Sequence, residues 1–195
     1  MVIAREPLIF LSGLRRDYTP ALPEVMNAYL LGAIHDGTER RTTWRISQKS
    51  KDFLIIIQEI INDLGKNAWI YKEGRDRDVW VLEFSKSILR QPRIATKDEK
   101  IAFIRGFWDA DDGVAKNRKV KFYIYFAQKN KDILVRIKNW LTELNIKTGN
   151  LHNPSKKIDP FYWRFYISTQ SHKDFVSKIG SWHPEKAHYL QKVKR

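Results

Sequence analysis

Cysteine is absent from this sequence of 195 residues. Its absence excludes disulfide bridges, thiolate zinc sites and a cysteine nucleophile together. The five histidines do not cluster at metal-ligand spacing. No stretch approaches the ~20 consecutive apolar residues of a membrane span, and the apolar run at residues 8–11 is too short for the core of a secretion signal. The sequence therefore predicts a cytoplasmic protein with no membrane partner.

Acidic residues are scarce relative to basic ones. Lysine and arginine total 36 against 22 aspartate and glutamate residues, which gives a net charge of +14. A hydrophobic fraction of 43% and an aromatic fraction of 13% predict that most of the chain folds. The charge excess favours a polyanionic partner such as nucleic acid, although a basic soluble protein without such a partner remains the alternative.

The order of predicted elements occurs twice along the chain. The first set comprises a helix at 24–36, a strand at 41–48, a helix at 51–64, strands at 67–72 and 79–84, and a short helix before Pro92. The second comprises a helix at 98–111 with Asp98 as its N-cap, a strand at 120–128, a helix at 132–144, strands at 148–152 and 161–168, and a helix at 173–179. The predicted organisation is an N-terminal extension (1–23), a first repeat (24–90), a linker (91–97), a second repeat (98–180) and a basic C-terminal tail (181–195).

Matching sequence segments indicate that the two sets arose by duplication. ISQKSKD at residues 46–52 matches FAQKNKD at 126–132, which is 80 residues later. Upstream, YLLG at 29–32 matches FIRG at 103–106. Two matches in the same order predict two related halves, each too small to bury its apolar surface alone.

Small residues recur on the first helix of each half. Ala28 and Gly32 are four residues apart, and Ala102, Gly106 and Ala110 repeat the spacing. Such a stripe lets two helices approach closely, and both helices then end in acidic residues within HDG (35–37) and DADDG (109–113). Facing carboxylates repel, and Mg²⁺ or Mn²⁺ relieves that repulsion through oxygen ligands. The alternative is that each acid merely solvates a helix end.

These two segments, LLGAIHDG at 30–37 and IRGFWDADD at 104–112, resemble the motifs of the LAGLIDADG homing endonucleases, especially the two-repeat enzymes of archaeal introns. The resemblance extends over residues 24–180. It implies an α+β fold of two pseudo-symmetric αββαββα units, with saddle-shaped antiparallel sheets lying on double-stranded DNA. It also implies a monomer that uses Mg²⁺, or Mn²⁺ in its place, to cut both strands and leave short 3′ overhangs. Relatives that bind intron RNA as maturases, or that bind DNA without cutting it, form the alternative class.

The metal ligands that the resemblance implies are not equally well matched in the two motifs. The family's acid lies five residues after the motif glycine, which gives Asp111 in the second motif, with Asp112 beside it. In the first motif the same count reaches Gly37, and Asp36 stands one residue early, which is about 100° of helix rotation. Asp36 is in register with the small-residue stripe. The predicted metal site contains Asp36 and Asp111, with Gly37 and Asp112 as neighbouring candidates.

Basic residues at the ends of the strands are further candidates for catalysis. In similar enzymes a basic residue at this place lies near the metals, where it polarises water or stabilises the phosphate charge. Strand alternation puts Lys49 and Lys129 on the polar face and Gln48 and Gln128 on the core face, which favours the lysines as the residues facing the site. The glutamines would then cap a helix or support the site from behind.

The same alternation predicts the DNA-binding residues. The outward faces of the strands carry Arg41, Thr43, Arg45, Arg77, Lys121, Tyr123, Tyr125, Tyr162, Arg164 and Tyr166. Trp44, Trp69, Trp108 and Trp140 are predicted core residues. Residues 1–97 have 16 basic and 12 acidic side chains, whereas residues 98–195 have 20 and 10, so the halves are unequal and predict an asymmetric target.

Overall fold

The computed structural model describes residues 22–74, 76–89, 93–110 and 123–191. The first half contains helix α1 (Pro23–Ala33), a 3₁₀ turn (Ile34–Asp36), strands β1 (Thr38–Glu39) and β2 (Thr43–Gln48), helix α2 (Lys51–Asp63), strands β3 (Ala68–Lys72) and β4 (Trp80–Ser85), and a second 3₁₀ turn (Lys86–Leu89). The second half contains α3 (Lys97–Ala110), β5 (Tyr125–Gln128), α4 (Lys131–Glu143), β6 (Trp163–Tyr166), a 3₁₀ turn (Thr169–Ser171), α5 (His172–Lys178) and α6 (Pro184–Gln191).

Each half has an antiparallel sheet. The first has the strand order β1-β2-β4-β3, and the second pairs β5 with β6. The predicted α+β fold class is confirmed. The strand predicted at 148–152 is wrong, since this segment has only isolated bridges at Thr148 and His152. Gly149 and Asn150 lie between these bridges, and both residue types are depleted in strands.

The helices that follow the strands begin alike in the two halves. The Ser50 side chain caps α2 by accepting a hydrogen bond from the Phe53 amide at 3.3 Å. Asn130 stands at the same place before α4 and accepts from the amides of Asp132 and Ile133. These two matched caps support the duplication predicted from the sequence.

Two lysine–tryptophan contacts repeat as well. Lys51 Nζ lies 4.4 Å from the Trp80 ring, and Lys131 Nζ lies 4.4 Å from the Trp163 ring. Trp80 is the first residue of β4 and lies opposite Gln48, the last residue of β2. Trp163 is the first residue of β6 and lies opposite Gln128, the last residue of β5. The halves therefore share strand register as well as element order.

The N-terminus of α3 differs from the prediction. Asp98 is not the cap; instead, the Thr96 hydroxyl accepts a hydrogen bond from the Glu99 amide at 3.2 Å. The Glu99 carboxylate in turn accepts from the amides of Ala95 at 2.6 Å and Thr96 at 2.9 Å. This reciprocal arrangement is a capping box, which requires a threonine three residues before a glutamate. Asp98 lies on the exposed side of the first turn.

Two hydrophobic cores, one in each half, meet at α1 and α3. Helix α2 buries Phe53, Leu54 and Ile57 in the first core, and α4 buries Ile133, Leu134 and Ile137 in the second. Of the four tryptophans predicted as core, Trp108 and Trp140 are buried and Trp44 is half-buried. The prediction for Trp69 is wrong.

Trp69 is 55% exposed because it lies on the outward face of the first sheet. It stands on β3 opposite Glu83 of β4, so its side chain points away from the core that covers the other face of the sheet. Ile70 and Leu82 face the core, so strand alternation predicts that Trp69 faces outward. The core prediction for Trp69 was based on its residue type instead.

The two motif helices touch through their glycines. A Cβ atom at Gly32 would lie 2.1 Å from the Phe103 carbonyl oxygen, and one at Gly106 would lie 2.0 Å from that of Tyr29. No side chain fits at these distances, so the close approach of α1 and α3 requires glycine at both crossing points. Ala28 and Ala102 are buried beside them. The helix contact predicted from small-residue spacing is confirmed.

Candidate active site at the motif helix ends

Each motif helix end is held by a glutamine from the opposite half. Gln48, at the end of β2, donates from Nε2 to the Ala110 carbonyl oxygen at 2.9 Å, where the described part of α3 ends. Gln128, at the end of β5, donates from Nε2 to the His35 carbonyl oxygen at 3.3 Å. The contacts are reciprocal, and they join the strand end of one half to the helix end of the other.

The first motif helix tightens before its acid. Helix α1 ends at Ala33 and continues as a 3₁₀ turn through Asp36, whereas the sequence predicted an α-helix throughout. Each residue of a 3₁₀ turn rotates the chain by about 120° around the helix axis, whereas each residue of an α-helix rotates it by about 100°. Three residues of 3₁₀ turn therefore give roughly 60° more rotation than three residues of α-helix. This extra rotation recovers about 60° of the roughly 100° that the missing residue would have supplied. The 3₁₀ turn therefore rotates Asp36 further around the helix axis than an α-helix of the same length would.

The predicted metal-binding residues fall partly within the described chain. Asp36 is exposed at the end of the 3₁₀ turn, and the Gly37 amide closes that turn by donating to the Ile34 carbonyl at 2.8 Å. Asp111 and Asp112 lie outside the described residues. Among the residues that are described, no group of three or more acidic or histidine side chains converges. The donors beside the helix ends are a carboxylate, carbonyls and amides, and this oxygen-rich set fits Mg²⁺ or Mn²⁺.

His35 lies between helix α1 and Asp36, within the 3₁₀ turn. It was not predicted from the sequence as a functional residue. Its ring lies 5.6 Å from that of Phe103 and 5.4 Å from that of Phe107 on α3. Desolvation lowers the pKa of His35, and the positive charge of Arg136 lowers it further. The His35 ring packs on the partner helix, and its carbonyl oxygen accepts the hydrogen bond from Gln128.

The lysines that follow the glutamines lie one residue beyond the ends of β2 and β5. Lys49 is exposed, and Lys129 is exposed with its Nζ 3.4 Å from an Asp159 carboxylate oxygen. The glutamines, and not the lysines, contact the helix ends. Strand alternation did not predict that the two glutamines border the other half.

A buried carboxylate lies beneath the site, and the sequence argument missed it. Asp109 is 1% exposed, and its Oδ2 accepts hydrogen bonds from the Tyr29 hydroxyl and the Trp182 amide, both at 2.9 Å. The Ser181 hydroxyl donates to Oδ1 at 2.5 Å. Desolvation raises the pKa of Asp109, against the opposing effects of Lys186 and of these hydrogen bonds. Its position three residues after Gly106, on the helix contact, was the available signal.

The segment predicted as a basic tail is ordered over residues 181–191. The Trp182 ring packs 4.4 Å from that of Tyr29, and the Arg105 guanidinium lies 4.8 Å from the Trp182 ring. On α6, the buried Lys186 ammonium donates to the Trp108 carbonyl at 2.5 Å. Helix α6 and these contacts were not predicted from the sequence, because the buried Asp109 supplies anchors that no local pattern reveals.

The outward face of the first sheet carries polar contacts and two exposed aromatic rings. Arg45 Nη2 lies 2.6 Å from a Glu73 carboxylate oxygen. Glu83 accepts from the Thr43 hydroxyl at 2.5 Å and from the Tyr71 hydroxyl at 2.9 Å, and these two hydrogen bonds lower its pKa. Trp69 and Tyr71, at 55% and 41% exposure, were not among the predicted DNA-binding residues.

The remaining outward candidates of the first half lie at its margin. Arg41 is exposed before β2, and Arg77 is exposed with Nη1 3.8 Å from a Glu73 carboxylate oxygen. The corresponding Lys121 of the second half lies outside the described residues.

The outward face of the second sheet is a cluster of tyrosines around one arginine. The Arg164 guanidinium lies 4.6 Å from the Tyr125 ring and 5.2 Å from the Tyr162 ring. It donates to the Tyr162 hydroxyl at 2.6 Å and to the Tyr166 hydroxyl at 3.3 Å. Burial alone would lower the pKa of Arg164, but hydrogen bonds to Tyr166 and Tyr162 raise it overall. Tyr123 extends the cluster, 5.4 Å from the Tyr166 ring.

One comparison with known protein families matches the second half of the chain. Residues 98–180 match the family model described as the LAGLIDADG-like domain. This half is similar to that domain. The predicted resemblance to LAGLIDADG homing endonucleases is confirmed, and the boundaries of the match coincide with the predicted second repeat.

Solved structures extend the LAGLIDADG fold to both halves. The chain is similar to I-DmoI in complex with DNA and Mn, with 24% identity, a TM-score of 0.61, and coverage of 82% of this chain and 98% of that one. It is also similar to full-length DUF199/WhiA from Thermatoga maritima, with 18% identity, a TM-score of 0.67, and coverage of 91% and 62%. The N-terminal LAGLIDADG domain of DUF199/WhiA matches at 19% identity and a TM-score of 0.64, covering 84% and 87%. No curated protein matches the chain.

Helices α1 and α3 have 11 and 14 residues. Within the described ranges, neither these helices nor any other is long and apolar enough to cross a bilayer.

Proposed function

We propose that this protein is a site-specific homing endonuclease that makes a divalent-metal-dependent double-strand break in DNA. The observation that carries the proposal is the reciprocal glutamine contact. Gln48 reaches the end of α3 and Gln128 reaches the carbonyl beside Asp36, so each half contributes to the other's acidic helix end. An arrangement of this kind suits a reaction with two equivalent catalytic centres, one for each DNA strand.

The acids would hold the metal ions. Asp36 and Asp111 are the proposed ligands, one from each motif, with Asp112 as the rival to Asp111 and the Gly37 backbone alongside Asp36. Bound Mg²⁺, or Mn²⁺ in its place, would activate water and stabilise charge on the phosphate.

The chain's own polar groups would position the reaction. Gln48 and Gln128 keep the strand ends and helix ends at fixed separation. Lys49 and Lys129, both exposed, would stabilise negative charge developing on a phosphodiester. Lys129 would leave its ion pair with Asp159 to do so.

The outward sheet faces would bind the duplex. Arg45, Thr43 and Tyr71 offer donors and acceptors on the first face, and Arg164 with its tyrosines does so on the second. The two faces differ in composition, which supports an asymmetric target read by a monomer. The similarity to I-DmoI, a homing endonuclease solved with its target DNA in the presence of Mg or Mn, supports DNA as the partner. Intron homing and short 3′ overhangs belong to the same proposal.

The test is cleavage of a randomised duplex library in Mg²⁺, followed by sequencing of the cut ends. We expect one enriched asymmetric site, staggered cuts with 3′ overhangs, and no cutting in EDTA. Asp111→Asn should abolish cleavage and leave binding of the selected duplex nearly intact. Asp98→Asn, an exposed acid at the start of the same helix, is the matched control and should cleave normally. Loss of cleavage in Asp112→Asn instead would show that Asp112 is the ligand.

A cleavage-inactive DNA-binding relative is the second candidate, favoured by the shortened first motif. Asp36 stands one residue before the family's acid, and the 3₁₀ turn restores only part of the rotation. Sequence-selective binding of the duplex library without cutting in Mg²⁺ or Mn²⁺ would establish this candidate. Binding of structured intron RNA in preference to duplex DNA would establish the maturase alternative.

A further inference from the structure

The loop before β6 exposes two large hydrophobic side chains. Ile158 is 90% exposed and Phe161 is 68% exposed, with Pro160 between them. Lys156 and Lys157 precede them and are exposed as well. Large apolar side chains exposed together, with charged residues beside them, are typical of a surface that meets a partner. We name residues 153–162 the apolar loop.

Hydrogen bonds give the apolar loop a fixed conformation. The Ile158 and Asp159 amides both donate to the Ser155 carbonyl at 2.8 Å. The Asn153 side chain spans the loop, since its amide donates to the Asp159 carbonyl at 2.9 Å and its oxygen accepts from the Ser155 amide at 2.8 Å. The apolar tip of the loop, which consists of Ile158 and Phe161, is therefore already held in one conformation. Binding by insertion would not have to offset the loss of loop conformational entropy.

The apolar loop lies next to the proposed cleavage centre. It leads into Trp163, which pairs with Gln128, the residue that contacts the first motif helix end. Asp159 of the loop forms the 3.4 Å ion pair with Lys129. Tyr162, its last residue, accepts from Arg164 at 2.6 Å on the outward face. The loop thus stands where the helix ends and the outward sheet face meet.

The first half shows that the fold itself does not need an apolar tip. The corresponding loop between β3 and β4 reads EGRDRDV at residues 73–79, with glycine, charged residues and a single half-buried valine next to the strand. It joins the same edges of its sheet, at Lys72 and Trp80. The apolar character is therefore a property of the second half and not of the repeat.

We propose that the apolar loop is a wedge that enters duplex DNA beside the cleaved step, with Ile158 and Phe161 against unstacked base pairs and Lys156 and Lys157 on the flanking phosphates. This inference rests on the proposed function, because it takes DNA to be the partner. Isoleucine, phenylalanine and proline are residues that other proteins insert between base steps to kink a duplex. The lysines complement the phosphate charge on either side of the opened step.

A wedge favours DNA in which the stack is already broken. Opening a base step costs energy, and a bulge in the duplex removes part of that cost. We expect the protein to bind a duplex with a central bulge about tenfold more tightly than the intact duplex of the same sequence. Removing the apolar tip should bring that ratio close to one.

The experiment measures fluorescence anisotropy of two labelled mixed-sequence duplexes, one intact and one with a central bulge, in EDTA so that no strand is cut. The full chain is compared with the double variant Ile158→Ser/Phe161→Ser. Val135→Ser, which removes a 40% exposed apolar side chain on α4, is the matched control and should keep the preference. Lys156→Gln/Lys157→Gln should weaken both duplexes equally and keep the ratio.

The outcomes separate this inference from the proposed function. A bulge preference that disappears in the double serine variant and persists in Val135→Ser supports the wedge. Binding of both duplexes without a preference, or a preference that the double variant retains, overturns the wedge and leaves the endonuclease proposal standing. Failure of the wild-type protein to bind either duplex overturns both. Self-association in sedimentation that the double variant abolishes would show that the loop meets a second copy instead.

Discussion

Replacing Gly106 with alanine tests whether the two halves are joined by direct backbone contact. The new Cβ would lie 2.0 Å from the Tyr29 carbonyl oxygen, and an ordinary contact needs more than 3.4 Å. The obstacle is backbone on both sides, at the Tyr29 carbonyl and the Ala33 amide, so no side chain can rotate away. The helices must separate by more than an ångström, and their packed surfaces lose contact along the whole crossing.

The expected magnitude combines two opposing effects. Alanine in place of glycine inside a helix gains about 1 kcal/mol from intrinsic propensity. Overpacking a close contact costs about 1–3 kcal/mol and more where backbone must move. We expect a net loss of roughly 2 kcal/mol or more in the free energy of unfolding.

Urea unfolding followed by tryptophan fluorescence measures this difference. Gly149→Ala is the control, because a Cβ there would lie 3.7 Å from the Tyr166 carbonyl oxygen, an ordinary distance. We expect that variant to change the free energy of unfolding by less than about 0.5 kcal/mol. A Gly106→Ala protein as stable as the wild type would refute the close crossing and with it the alignment of the two helix ends.

Two further predictions concern the site and its supporting helix. Gln48→Ala and Gln128→Ala should each slow cleavage of the selected duplex by more than tenfold, with binding unchanged in anisotropy. Gln170→Ala, at an exposed position away from the helix ends, should cleave at the wild-type rate; equal rates in all three variants would contradict the positioning role. Glu99→Ala should destabilise the protein by about 1 kcal/mol at neutral pH through loss of the capping box. Hydrogen bonds from the Ala95 and Thr96 amides lower the pKa of Glu99, so its contribution exists above its unfolded pKa and fades as pH falls through the folded value. Urea unfolding at neutral and acidic pH measures this loss, and an equal loss in Asp98→Ala would place the cap at Asp98 after all.

The sequence was most informative where a physical constraint is periodic. Small residues four apart predicted the helix crossing, because only such spacing keeps one face of a helix bare. Alternation along the strands placed the lysines outward and the glutamines inward, since side chains in a strand change face at every residue. Motif and repeat together predicted the two-repeat fold.

Features that depend on contacts distant in sequence escaped prediction. Asp109 takes its partners from Tyr29, 80 residues earlier, and Ser181, 72 residues later. The order of residues 181–191 follows from that burial and from no local pattern. Trp69 was assigned to the core by residue type, although the sheet exposes it. The 3₁₀ turn at Asp36 likewise depends on packing against α3, which sequence spacing alone does not report.

The Asp109 cluster has a consequence for exchanging modules between such proteins. Asp109 belongs to the second repeat, and its three donors lie outside that repeat. Tyr29 is in the first repeat, and Ser181 and Trp182 lie just beyond residue 180, where the family match ends. A chimera cut at residues 98 and 180 would graft a carboxylate into an interior that no longer supplies its hydrogen bonds. Each donor lost there leaves a buried charge less well satisfied, at about 1–3 kcal/mol. The smallest transferable second half therefore runs through α6 and needs a tyrosine on the helix it meets.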